Sequence, residues 1–277
     1  MPDQTNPPEP PPSDARPSTA PGRPGNWLGE LRIALVFLTV LPVRLRPEDA
    51  DHGVSHAVRA FPIVGIPVGL AGAVAYALAD VAGLSATICG LFAVAAMAAM
   101  AGGLHEDGLA DAADGIFGGR DRAERLAIMR DSRIGSFGAM ALFFALALRA
   151  TAISYMGSAW DAGFAMAAAA IASRAAIPPV MFLLPPARGD GLARAAGEPD
   201  RHRVVDAVAL GLVLSALAFA PIAEPLTNLA ALAAAAVAAA LLGLHARARL
   251  GGQTGDVLGA VQQAAEIAVL LAFIASP

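Results

Sequence analysis

Seven stretches of this chain run apolar for roughly the twenty residues a helix needs to cross a hydrocarbon core: about 62–82, 86–104, 138–157, 163–184, 204–222, 226–244 and 257–275. An eighth, Ile33 to Val43, is shorter and follows Glu30 and Arg32. It reads as a tilted span, a re-entrant piece or an interfacial helix. Nothing alternates with period two, and only helices or closed barrels satisfy their backbone in lipid. The pattern therefore predicts an all-α, polytopic membrane bundle of about seven spans with a short apolar segment before them. No internal repeat is evident.

The connections alternate in character. Segments 44–61, 105–137, 185–203 and 245–256 are long and polar, and carry fourteen of the arginines. The turns near 83–85, 158–162 and 223–225 are short and contain none. Seven spans put every Arg-rich segment on one side, and the positive-inside rule makes that side cytoplasmic. The N-terminus lies outside if 33–43 spans and inside if it does not.

Composition agrees with this picture. The chain of 277 residues is 56% hydrophobic and 15% charged, with mean hydropathy +0.59, against about 25% charged in soluble domains. All 19 basic residues are Arg, and the net charge of -4 gives no reason to expect nucleic-acid binding. The lone cysteine, Cys89, sits in an apolar run and reads as a packing residue. Residues 1–26, with nine prolines and no apolar run, read as a disordered tail without the layout of a cleavable signal peptide. Residues 27–277 then form a single membrane domain, whose polar segments 105–137, 185–203 and 245–256 carry the chemistry.

The densest of these opens with GGLHEDGLADAADG at 102–115, which places four acids and a histidine in ten positions at the edge of an apolar run. Charges there are costly and usually functional. Asp107, Asp111 and Asp114 fall at i, i+4 and i+7, so on a helix they share one face. Unpaired they repel one another, and a divalent cation bound through oxygen would remove that repulsion. The plainer alternative is a solvated helix start beside a positive dipole end. His105 reads as a general base or as a loop histidine that only hydrogen-bonds.

Further on, Asp121-Arg122-Ala123-Glu124 has the form of a capping box starting a short helix to about Arg130. Leu126 and Met129 face its apolar side. Arg130, Asp131, Ser132 and Arg133 then lead into a glycine-containing turn whose backbone N–H groups and Arg could hold an anion. Gly251, Gly252, Gln253, Thr254, Gly255 and Asp256 sit at the mouth of the last span. They either admit a phosphate closely or simply cap helices. Arg149, Arg174 and Glu266 lie within spans and need partners inside the bundle; Glu266 with Arg174 is one pairing. His52, His56, His202 and His245 read as interfacial residues. Acids, a divalent ion and arginines together suit phosphoryl transfer from a diphosphate.

Several separate motifs resemble the cobalamin synthase family of adenosylcobinamide-GDP ribazoletransferases: FLTVLPV (37–43), FPIVGIPVG (61–69), GGLHEDGLADAADG (102–115), IMRDSRIGSFG (128–138) and GGQTGDVLGA (251–260). They stand in the family's order and cover most of the chain from residue 33. The resemblance implies a Mg²⁺-dependent enzyme of a bacterial inner membrane. It would join α-ribazole, or its 5′-phosphate, to adenosylcobinamide-GDP, giving adenosylcobalamin, or its phosphate, and GMP. It carries over Asp107, Asp111 and Asp114 as catalytic metal and diphosphate ligands with His105 beside them. Arg130, Asp131, Ser132, Arg133, Gly252, Thr254 and Asp256 follow as substrate-binding residues, and Glu106 is set aside as a ligand.

Two rivals fit less well. A CDP-alcohol phosphatidyltransferase would share the D-x-x-D-G of Asp111, Asp114 and Gly115, but the Ala-Arg and closing acidic part of that pattern are missing. A transporter would place polar groups near the bilayer midplane and often shows repeats, whereas the polar residues here crowd one face.

Overall fold

The computed structural model describes residues 26–49 and 53–275; the proline-rich tail and His52 lie outside the described residues. The helices in chain order are α1 (Trp27–Leu38), α2 (Val54–Ala57), α3 (Phe61–Val81), α4 (Ala86–Met100), α5 (Leu104–Gly118), α6 (Arg122–Ile128) and α7 (Ser136–Ser154). There follow α8 (Ala159–Ala175), α9 (Ile177–Leu183), α10 (Leu192–Ala196), α11 (Arg201–Phe219), α12 (Pro225–Leu250) and α13 (Gly255–Ala275). Among the described residues there is no strand, only an isolated parallel bridge between Pro186 and Gln253.

Six helical stretches are long and apolar enough to cross a membrane, and a seventh counts if α4 and α5 are one broken span. α8 is the central post, with α3, α11 and α13 packed on it. Its Ala168, Ala169 and Ala170 have no exposed surface. Helices in lipid gain little from burying bulk, so small residues that let backbones approach are what such a post requires. Leu70, Val74, Leu78, Phe143, Phe144, Leu212, Leu217 and Leu241 are exposed on the outside, as lipid-facing positions should be.

Several boundaries differ from the sequence expectation. The segment expected at 33–43 is the 12-residue α1, which ends at Leu38. At 1.5 Å per residue it is about 18 Å long, too short to span. Its polar residues are buried instead of lipid-exposed. Arg32 pairs with Asp49 at 2.9 Å, and Glu30 holds both Arg59 and Arg203. The expected span 86–104 stops at Met100, and the chain turns 92° before α5 begins. Gly102 and Gly103 make that turn, with φ of 65° and 69°, a region glycine enters without strain. The span 163–184 is broken at Ala176, just before Pro178 and Pro179. The polar segment 245–256 shrinks to four residues, because α12 continues through His245, Arg247 and Arg249 to Leu250. Most of 105–137 is helix, and α6 ends at Ile128, short of Arg130.

Candidate functional site

α5 places the acidic motif. Asp107, Asp111 and Asp114 share a face within about 60° of arc, and along that face they pass from exposed through half-buried to buried. The opposite face packs on the start of α13, where Gly108 lies against Asp256 and Gly259. That crossing sets Asp256 beside the aspartates. Asp111 lies within electrostatic reach of Asp107, Asp256, Asp114 and Arg188. The arrangement is an acidic face with one arginine at its edge.

The three aspartates are not equivalent. Asp114 is 7% exposed, and both of its oxygens are occupied. It accepts the backbone N–H of Gly135 at 2.7 Å and of Gly138 at 2.9 Å. These are unsatisfied donors at the start of α7, so Asp114 caps another helix across space. A Cβ at either glycine would collide with that carboxylate. The N–H groups expected to hold an anion therefore already hold one from the protein itself.

The expected substrate-binding residues fall in two places. Thr254 and Asp256 lie at the acidic face. The Thr254 hydroxyl donates to Asp256 at 3.2 Å and accepts the N–H of Val257, capping α13. Gly252 is buried against the Pro185 carbonyl, where a side chain would not fit. Arg130, Asp131, Ser132 and Arg133 lie in the turn between α6 and α7. Arg133 folds back on Asp131 at 2.6 Å and both reach solvent. That guanidinium holds the Asp131 carboxyl down at about 2. Arg130 pairs across to Asp190. The expected capping box is half formed: Asp121 accepts the Glu124 N–H at 2.9 Å, while Glu124 turns to Arg120.

Arg188 was not singled out from the sequence. It reaches Asp256 at 3.2 Å, is 14% exposed, and its buried Nη1 has no hydrogen-bond partner. Its strand is pinned to the last loop by Ala187 N–H to Gln253 O at 2.8 Å and Gln253 N–H to Pro185 O at 2.9 Å. Arg122 clamps the same place by donating to the carbonyls of Ala187 and Leu250. The only local signal was the Pro185-Pro186 pair, which fixes an extended backbone ahead of it.

Behind the acidic face lies a buried polar network, so the polar residues do not all crowd one end. Arg149 Nη1 donates to Glu106 at 2.9 Å and to Gln263 at 3.0 Å, and its Nη2 lies 2.6 Å from Glu266. Glu266 also accepts from Gln262 at 2.6 Å. Arg174, the partner expected for Glu266, is at 4.0 Å, farther than Arg149. Glu106 also accepts from Gln263 at 3.1 Å. His105, 3% exposed, lies in reach of both arginines, and its Nε2 has no partner.

Among the described residues no three of His, Cys, Asp and Glu converge tightly enough to ligate one ion unaided. The donor set is nevertheless oxygen-only. Such a set suits Mg²⁺, which takes one or two carboxylates and completes its shell with water and substrate phosphates.

The model of the cobalamin-5-phosphate synthase family matches residues 30–274. A protein of Bradyrhizobium diazoefficiens described as adenosylcobinamide-GDP ribazoletransferase is 44% identical over 89% of this chain and 93% of its own length. Proteins of the same description from Mesorhizobium japonicum and Sinorhizobium medicae are 42% and 41% identical, covering 90% and 86% of this chain and 93% and 92% of themselves. No solved structure matches.

Proposed function

The chain belongs to the cobalamin-5-phosphate synthase family, and we propose that it transfers α-ribazole, or its 5′-phosphate, onto adenosylcobinamide-GDP. The products are adenosylcobalamin, or its 5′-phosphate, and GMP. The observation that carries this reading is the acidic face of Asp107, Asp111 and Asp256 edged by the incompletely satisfied Arg188. Acids that repel one another, beside a guanidinium with a free donor, are arranged to receive a cation and a phosphate together.

In this reading a ribose hydroxyl of the acceptor attacks the phosphorus bonded to the cobinamide side. The new P–O bond forms as the bond to the bridging oxygen breaks, and GMP leaves with the electron pair. Arg188 binds a diphosphate oxygen and offsets the charge that develops on it. Asp107 and Asp111, with Asp256, would hold Mg²⁺, which neutralises diphosphate charge when bound. Asp114 contributes by fixing α7 against α5. His105 is enclosed away from the acidic face, so the hydroxyl proton passes to one of the three free carboxylates.

The Arg-rich end of the bundle is cytoplasmic in this reading. The short α1 does not cross, so the N-terminus lies on that side too. The membrane is a bacterial inner membrane, where a nucleotide-linked donor is available.

The test is GMP release by purified protein given adenosylcobinamide-GDP and α-ribazole, with and without Mg²⁺. Release that needs the acceptor and stops on chelation is expected. Native protein that turns over a cytidine nucleotide instead, or releases no GMP, would sink the proposal.

A further inference from the structure

Beside the acidic face a cavity of about 630 Å³, part of it open to solvent, runs inward between α1, α3, α5, α9 and α13. Its walls are apolar, with Phe37, Phe61, Met181 and Leu258 among them. Phe37 and Phe61 stack at 6.3 Å between ring centroids. The polar groups on it are Asp107 and Asp256, which belong to the acidic face, and His105. His105 is the odd member, an almost fully enclosed imidazole whose Nε2 lacks a partner. A buried polar atom left unpaired is costly, so it points to a ligand that supplies the missing partner.

We infer that this cavity is the subsite for the aromatic base of the acceptor nucleoside, with His105 Nε2 bonding the base's free ring nitrogen. The inference rests on the proposed ribazoletransferase reaction and adds which substrate enters here. A benzimidazole joined to ribose through one nitrogen keeps a single free ring nitrogen. One apolar bicycle with one acceptor matches apolar walls with one unpaired imidazole nitrogen. The guanine of the donor is a similarly flat bicycle, but its edge carries several donors and acceptors that this cavity would leave unpaired. A corrin macrocycle is too large for it. With the base inside, the ribose emerges at Asp107 and Asp256, which is where its hydroxyl must meet the diphosphate.

Two measurements test this. The first compares α-ribazole with the matching indole riboside, which has carbon in place of the free nitrogen. Native protein is expected to lose roughly tenfold or more in kcat/KM on the indole compound, as a buried donor is left unpaired, while His105→Leu treats the two alike. Equal use of both by native protein overturns the inference. The second is Met181→Trp, which fills the cavity. The KM for α-ribazole should rise about tenfold or more and that for adenosylcobinamide-GDP stay within about twofold, well below the change a lost contact produces. A rise confined to the donor would give the cavity to guanine or corrinoid and overturn the inference.

Should native protein release no GMP, the reaction itself is misassigned, and equilibrium dialysis of α-ribazole still decides the subsite. Binding that Met181→Trp abolishes supports it, and no binding to native protein overturns it. If His105→Leu does not fold, the comparison of the two ribosides on native protein stands alone.

Discussion

The carboxylate of Asp114 and the backbone N–H of Gly138, 24 residues apart in the chain, meet at 2.9 Å. One aspartate of the acidic motif is thereby a structural cap, although its spacing makes it look like a third ligand. Asp114→Ala should leave two buried N–H groups without acceptors and cost about 2 kcal/mol or more. Gly138→Ala should resemble it, because the new methyl takes the carboxylate's place. Asp111→Asn should abolish turnover with no loss of thermal stability, since it relieves repulsion. Melting of the detergent-solubilised variants, read beside GMP release, separates the two. A stable but inactive Asp114→Ala would return that residue to the reacting site.

Removing Glu266 strands Arg149 and Arg174 in the bundle interior. A buried pair broken on one side typically costs about 3–5 kcal/mol, so Glu266→Ala should fail to accumulate as folded protein. Fluorescence-detected size exclusion of a tagged variant reports this, and a monodisperse peak at native yield would show the network to be dispensable.

Arg188→Ala should weaken donor binding. A charge-assisted hydrogen bond contributes about 1.5–3 kcal/mol, or ten- to a hundredfold in KM for adenosylcobinamide-GDP, with the KM for α-ribazole little changed. Arg188→Lys should recover only part of this, because Asp256 and a phosphate engage a planar fork together. An unchanged donor KM would remove Arg188 from the site.

How much of this was legible in the sequence depends on chain distance. The helix under Asp107 and Asp111 follows from their own spacing, and the spans follow from local hydropathy. The cap between Asp114 and Gly138 does not, because it depends on how α5 lies across α7. Arg149 and Glu266 were recognisable singly as residues in need of partners. Their pairing depends on the rotation of α7 and α13 about their own axes, which no local pattern sets. Arg188 was hidden for a different reason: in a loop already rich in arginine, the topological bias masks a functional cation. The turn at Gly102-Gly103 reads equally well as a span's end, and only the helix starting at Leu104 shows it to be a corner.

The topology can be checked with cysteine chemistry, since the only native thiol, Cys89, is buried. In a Cys89→Ala background, cysteines replacing the exposed Arg120 and Trp160 should label from opposite sides. An impermeant maleimide added to intact cells should reach position 160 and spare 120, and inverted vesicles should show the reverse. The same side for both would break the span count.

Glu106, Glu266, Arg149 and Arg174 together carry two negative and two positive charges. An unbalanced charge moved across the bilayer would couple to the transmembrane voltage by about 2.3 kcal/mol for every 100 mV. A set that sums to zero gives voltage no handle. The bundle's interior is thus electrically silent, and turnover in proteoliposomes should be the same with and without an imposed potassium diffusion potential. A cell whose membrane potential collapses would lose its ion gradients without losing this step.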